Sequence, residues 1–295
     1  MKARFIILFA AMCLAAIAGA QTVMDIVARQ VGNSIEVTND LDKSADASLL
    51  FFTVNGVSFT MVKVDGGTFT MGGISGEDSD SYMDEEPPHT VTLSDYYIGQ
   101  TEVTQALWKA VMGTTIHRQL NEEDSVDVFV GEGDDYPMYY VNWDECQAFV
   151  KKLNLLLSSQ LGDMLFALPT EAQWEYAARG GKKSNGYMYS GSNNLSSVAW
   201  HADNSGSITH PVATKSPNEL GLYDMSGNVC EWCQDWYGSY RSRSQTNPTG
   251  ASSGSKRVFR GGSWDDFTRE CRVSNRDSGA PSNCHSYTGL RLVVN

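Results

Sequence analysis

The amino-acid sequence predicts an α+β domain with little regular secondary structure. Three observations carry that expectation: a hairpin signal around Asn55-Gly56, three short helical patterns between residues 104 and 180, and the near loss of periodicity after Gly181. No βαβ alternation is visible.

The chain opens with Lys2 and Arg4 ahead of an apolar run from Phe5 to Ala18, and Ala18-Gly19-Ala20 offers a signal peptidase its small residues. A membrane span needs about 20 apolar residues; this run is shorter and lacks stop-transfer charges. Residues 1–20 therefore read as a signal peptide, and the protein as exported to the periplasm, the cell surface or the extracellular space. No segment after it is expected to span a membrane. Residues 21–57 read as a small N-terminal β unit. Ser34-Ile35-Glu36-Val37-Thr38 alternates polar and apolar, as a half-buried strand does. Leu49–Val54 and Val57–Val64 flank Asn55-Gly56, a pair that tolerates the positive φ angles of a type I′ turn. The second of these strands runs directly into the main domain, residues 58–295.

Three helices follow. Thr104 to Met112 carries Leu107, Trp108 and Val111 on one face and stops at Gly113. Asp144 to Leu153 places Cys146, Phe149, Val150 and Leu153 at helical spacing. The third begins at Thr170, which forms a capping box with Gln173, packs through Trp174, Ala177 and Ala178, and ends at Gly180-Gly181. Beyond it only short strands are expected, at Arg257-Val258-Phe259-Arg260 and Leu290-Arg291-Leu292-Val293. Irregular stretches this long need another source of order, and bound cations are one.

The net charge of −13 becomes −15 once the signal peptide, with Lys2 and Arg4 and no acid, is removed. Such a surface repels phosphate backbones, which excludes nucleic acid as a partner. The acids gather in Glu77-Asp78-Ser79-Asp80, Asp84-Glu85-Glu86, Glu122-Glu123-Asp124 and Asp134-Asp135, which read as solvated loops. Cys146, Cys230, Cys233, Cys271 and Cys284 remain after cleavage, an odd set that leaves a thiol unpaired. Cys230-Glu231-Trp232-Cys233 has redox spacing without a redox fold around it, so it reads as structural.

Several segments share one order and spacing. They run from Met61-Val62-Lys63-Val64-Asp65-Gly66-Gly67-Thr68-Phe69 through Glu86-Pro87-Pro88-His89, Thr101-Glu102-Val103-Thr104, Val141-Asn142-Trp143 and Leu168-Pro169-Thr170-Glu171-Ala172-Gln173-Trp174-Glu175-Tyr176. Gly221-Leu222-Tyr223-Asp224-Met225-Ser226-Gly227-Asn228-Val229, Arg260-Gly261-Gly262-Ser263-Trp264 and Gly289-Leu290-Arg291 complete the series. Together they resemble the formylglycine-generating enzyme (sulfatase-modifying factor) family over residues 58–295. The resemblance implies a C-type-lectin-like α+β fold with bound calcium.

Active members of that family oxidise a substrate cysteine, within Cys-x-Pro-x-Arg, to formylglycine with a pair of copper-binding cysteines. Paired thiolates are soft ligands that suit Cu(I). Aligned from Gly261-Gly262-Ser263-Trp264, Asp266 stands at the first cysteine position and Cys271 at the second. Aligned from Arg272-Val273 and Arg276, the connecting loop is three residues short and both cysteines are missing. Neither alignment restores a pair, so no catalytic residue is assigned, Cys271 is the nearest candidate, and copper is not expected. A second branch of the family uses iron held by His-x3-His-x-Glu, a spacing that His89, His117, His201, His210 and His285 do not provide.

The family's calcium ligands match Asp224, Gly227, Val229 and Glu231, the glycine and valine through their carbonyls. Hard oxygen donors in one tight turn suit Ca²⁺. The C-terminal framework keeps its spacing around unrelated stretches, Asp265-Asp266-Phe267, Asp277-Ser278-Gly279 and Cys284-His285-Ser286-Tyr287. This arrangement resembles the variable proteins of diversity-generating retroelements, which display a mutated binding surface on the same scaffold. Trp264, Asp265, Asp266, Phe267, Asp277, Ser278, Gly279, His285, Ser286 and Tyr287 then become the ligand-binding residues, with a protein, peptide or glycan as the ligand. Three functions stay open: a non-catalytic binding protein, hypervariable or not; an atypical sulfatase-maturation oxidase; and a structural part of a surface assembly.

Overall fold

The structure is a computed structural model that describes residues 48–73, 83–121 and 129–295. The expected signal peptide, the strand at 34–38 and the acidic runs at 77–80 and 122–124 lie outside the described residues.

The strands are β1 (Leu49–Val54), β2 (Val57–Val64), β3 (Thr68–Met71), β4 (His89–Thr92), β5 (Tyr96–Gly99), β6 (Phe166–Ala167), β7 (Cys230–Trp236), β8 (Gln245–Thr246), β9 (Arg257–Arg260), β10 (Arg276–Gly279), β11 (Thr288–Gly289) and β12 (Val293–Val294). They form a five-stranded sheet β1-β2-β5-β12-β6, a four-stranded sheet β10-β9-β7-β11 and a three-stranded sheet β3-β4-β8. The hairpin forms as its turn dictates: Asn55 and Gly56 have φ 48° and 82°, and Val54 pairs with Val57. β1 is the outer strand of the five-stranded sheet, so both hairpin strands lie in one sheet with β5 and β12. Adjacent residues of β2 face opposite sides, Met61 into one hydrophobic cluster and Val62 into the other, so this sheet is covered on both faces.

The three predicted helices are present as α1 (Gln105–Met112), α2 (Trp143–Leu156) and α3 (Glu171–Ala178). Thr104 caps α1 by accepting from Leu107 N, and Gly113 closes it in the left-handed region. Thr170 and Gln173 form the expected reciprocal box on α3. α1 and α2 pack through Trp108 and Phe149, whose rings stack with centroids 5.2 Å apart. The C-terminus differs from expectation. Leu290–Leu292 is irregular, because Arg291 turns inward to Glu231 and the flanking Leu290 and Leu292 carbonyls accept from Val103 and Gly99.

Order in the irregular half comes largely from buried guanidinium groups. Arg272 grips Glu85 at 2.6 and 2.9 Å. Arg276 grips Glu171 at 2.7 and 2.8 Å and donates to the Asp84 and Gly238 carbonyls. Arg260 binds Glu175 and the carbonyls of Ser274 and Asn275. Arg291 binds Glu231 and the carbonyls of Gly99 and Tyr223. Each fork satisfies a buried carboxylate and at least one backbone carbonyl, that of Arg269 in the case of Arg272.

None of the five cysteines among the described residues forms a disulfide. Cys230 and Cys233 lie three apart on a strand, which sends their side chains to opposite faces and into different core clusters. The C-x-x-C spacing therefore brings no thiol pair together.

Candidate functional site

The four-stranded sheet carries the C-terminal surface. Gly261 and Gly262, at φ 102° and 67°, turn the chain out of β9 and bring Ser263 and Trp264 back over it. Of the residues predicted to meet a ligand, two are internal. Trp264 is buried, donating its indole N–H to the Ser286 carbonyl at 3.1 Å, and Gly279 is buried against Trp232. They anchor the surface. Asp265, Phe267 and Asp277 are exposed, Phe267 by 62%, while Asp266, Ser278, His285, Ser286 and Tyr287 are half-buried. His285 and Tyr287 stack at 4.8 Å.

Between them opens a small cleft of about 90 Å³, lined by Asp266, Asp277 and Tyr287 together with Cys230 and Glu270. The cleft is electronegative. Burial, and then the neighbouring Glu270, Asp265 and Asp277, push the Asp266 carboxyl up, against a 2.7 Å hydrogen bond from Ser263. Burial also raises Asp277, against the Ser278 N–H at 2.6 Å. Tyr287 is pushed up to about 12 by burial and then by Cys230, Asp277 and Asp266. A cation entering here relieves all of these repulsions at once.

Neither nearby thiol is poised for chemistry. Cys271 is fully buried in a cluster with Tyr189, Leu195, Val198 and Ala199. Its sulfur lies behind Gly262, where a Cβ would stand 2.8 Å from it. Cys230 reaches the cleft, with Sγ 3.9 Å from Asp266 Oδ2. Burial and the surrounding carboxylates raise both thiols well above the ordinary cysteine range, so both stay protonated near neutral pH. Among the described residues, no group of three or more His, Cys, Asp and Glu is placed to hold a metal ion. The histidines are separately engaged: His201 meets Ser196, while His210 donates to the Ser205 carbonyl and stacks on Trp200.

The Asp224–Glu231 loop is a tight turn in which Asp224, Gly227 and Asn228 all have positive φ. A side chain at Gly227 would strike the Trp200 carbonyl at 2.2 Å, so only glycine fits. Asp224 accepts from Ala213 N at 2.7 Å through Oδ2, while its buried Oδ1 has no hydrogen-bond partner. Burial drives this carboxyl up to about 6. That orphan oxygen suits a cation. Glu231 is different: its oxygens already accept from Arg291 at 2.7–3.0 Å and from Trp174 at 2.6 Å. Glu102, which the sequence did not single out, completes the cluster and binds Asn228 Nδ2 and Val229 N at 2.8 and 3.0 Å. Burial first, then Asp224 and Glu231, raise it well above the carboxylate range.

A family model for the sulfatase-modifying factor enzyme 1-like domain matches residues 52–295. The chain belongs to that family. The chaperone protein LppX of Paenibacillus barcinonensis is 32% identical, over 80% of this chain and 90% of the relative. The formylglycine-generating enzyme of Streptomyces coelicolor is 28% identical over 79% of this chain and 88% of its own length. In structure, Treponema denticola variable protein 1 superposes with a TM-score of 0.71 at 34% identity, covering 84% of this chain and 99% of that one. PvdO from Pseudomonas aeruginosa, at 23% identity and a TM-score of 0.63 over 80% of this chain and 94% of its own, shares the fold. No helix among the described residues is long and apolar enough to cross a membrane.

Proposed function

We propose that this member of the sulfatase-modifying-factor family is an exported, non-catalytic binding protein whose loops at 265–267, 277–278 and 284–287 meet a protein, peptide or glycan ligand. The observation that carries this reading is the state of the thiols. Cys271 is sealed behind Gly262, and Cys230 faces carboxylates rather than a second sulfur. Thiols held protonated in an electronegative setting make poor Cu(I) ligands and poor nucleophiles. The likeness to a variable protein supports a diversified surface, here rich in Asp, Ser and aromatic side chains of the kind paratopes use.

The test is direct. Incubated with a Cys-x-Pro-x-Arg peptide, copper and oxygen, the protein is expected to leave the peptide mass unchanged. Conversion of the peptide cysteine to an aldehyde, lost in Cys271→Ser, would overturn the reading in favour of an oxidase. A reverse transcriptase and a near-copy of the C-terminal coding sequence beside the gene would support diversification.

Calcium belongs to the same reading as a structural ion. Asp224, with the carbonyls of Gly227 and Val229, would hold it, and Glu231 would join by sharing its carboxylate with Arg291. The ion would supply positive charge to a cluster of three buried carboxyls that has one guanidinium. Millimolar calcium is expected to raise the melting temperature of the wild type and to leave Asp224→Ala unmoved. Equal shifts, or none in either protein, count against the ion.

A further inference from the structure

We propose a second, separate ligand site in the cavity between the start of α3, the end of β7 and the 238–252 loop, built for a small anionic sugar of the uronic-acid class. The cavity measures about 540 Å³, within the roughly 300–1,000 Å³ typical of small-molecule pockets. None of the residues that line the C-terminal cleft belongs to it.

Its charge points to an anion. The chain holds 35 acidic and 22 basic residues, yet two exposed arginines, Arg241 and Arg243, border this one cavity. Neither makes an ion pair or hydrogen bond among the described residues. The third guanidinium, Arg276, is already committed to Glu171 and two carbonyls, so it contributes structure rather than binding capacity. Two free forks at one mouth are suited to a carboxylate.

The remaining lining points to hydroxyl groups. His89 is 4% exposed and its Nδ1 lies 3.2 Å from the Pro87 carbonyl, which can only accept. Nδ1 therefore donates to that carbonyl, and in the neutral ring Nε2 is the nitrogen that can accept from a ligand hydroxyl. Gln245 and the buried carboxyl of Asp235 also line the cavity, beside the aromatic rings of Trp236 and Tyr240, which carry Arg257 and Arg276 stacked at 3.4 and 3.9 Å. An inorganic anion needs the arginines alone. Acceptors, an amide and aromatic rings behind them match a polyhydroxylated ring that carries one carboxylate.

The probe is D-glucuronate, titrated into the full chain and followed by tryptophan fluorescence and by the indole resonance of Trp236. One-site saturation is expected, with binding to D-glucose at least about tenfold weaker, a difference of about 1.4 kcal/mol. Arg241→Gln combined with Arg243→Gln should weaken glucuronate by a similar factor with no change in melting temperature. Gln245→Ala should weaken it while leaving any binding of inorganic phosphate alone. Absence of saturation, equal binding of glucose, indifference to the double substitution, or full competition by phosphate would each overturn the proposal. These variants spare the C-terminal cleft, so the outcome is independent of the binding-protein reading.

Discussion

Arg291→Met is expected to destabilise the protein by about 3–5 kcal/mol, the cost of stripping one partner from a buried ion pair. The guanidinium ties three remote segments together: Glu231 on β7, the Gly99 carbonyl at the end of β5 and the Tyr223 carbonyl ahead of the Asp224 turn. Methionine fills much of the volume but supplies none of these donors. It also leaves Glu102, Asp224 and Glu231 buried together without a counter-charge from the chain. For a domain of this size each kcal/mol moves the melting temperature by about 2–4 °C, so a fall of about 10 °C should be seen in a thermal melt. Arg291→Lys keeps the charge and loses the fork, and should fall between the two. A loss below about 1 kcal/mol in Arg291→Met would mean that the fork is not what orders this half of the molecule.

That half was the part least legible in the sequence, for a physical reason. Local rules exposed the local elements: Asn55-Gly56 announced its hairpin, and Thr170 with Gln173 announced α3 three residues apart. The guanidinium forks have no local signature, because Arg272 finds Glu85 and Arg291 finds Gly99 far away in the chain. Beside the bound cations that the sequence led us to expect, buried guanidinium groups order these loops, a source the sequence reading did not consider. β7 escaped notice because its first four residues are all buried, which erases the alternation that marks a half-exposed strand. On the C-terminal surface, spacing located Asp266, Asp277 and Tyr287 at one cleft. It could not show that Trp264 and Gly279 face inward, since burial of an aromatic after a glycine pair depends on what packs above it. Cys230 and Glu270 were reachable in principle. Cys230 stood out through its C-x-x-C spacing, and Glu270 adjoins Cys271.

Asp235→Asn is expected to stabilise the protein above pH 7 and to abolish one branch of its pH dependence. The carboxyl is 3% exposed and accepts from Glu171 N at 3.0 Å. Burial first, and then the adjacent Glu171 carboxylate, raise it from the ordinary 3.8 to about 7. Between those values the folded chain holds a proton that the unfolded chain has released, so stability from this group falls as pH rises, by about 1.4 kcal/mol per unit. Across the window the loss is at most about 4 kcal/mol, and below pH 4 it vanishes. Glu171 works in the opposite sense. Burial opposes its charge, but Arg276 and Arg260 hold its carboxyl below the ordinary value, so its contribution is present at neutral pH and fades in acid. A wild-type profile alone mixes the two. The difference between urea midpoints of wild type and Asp235→Asn, taken from pH 4 to pH 8, isolates the aspartate, because asparagine can still accept from Glu171 N and cannot ionise. That difference should rise steadily in favour of the variant and level off above pH 7. A flat difference would show that Asp235 ionises as an ordinary aspartate, with water reaching its carboxyl from the cavity that it lines.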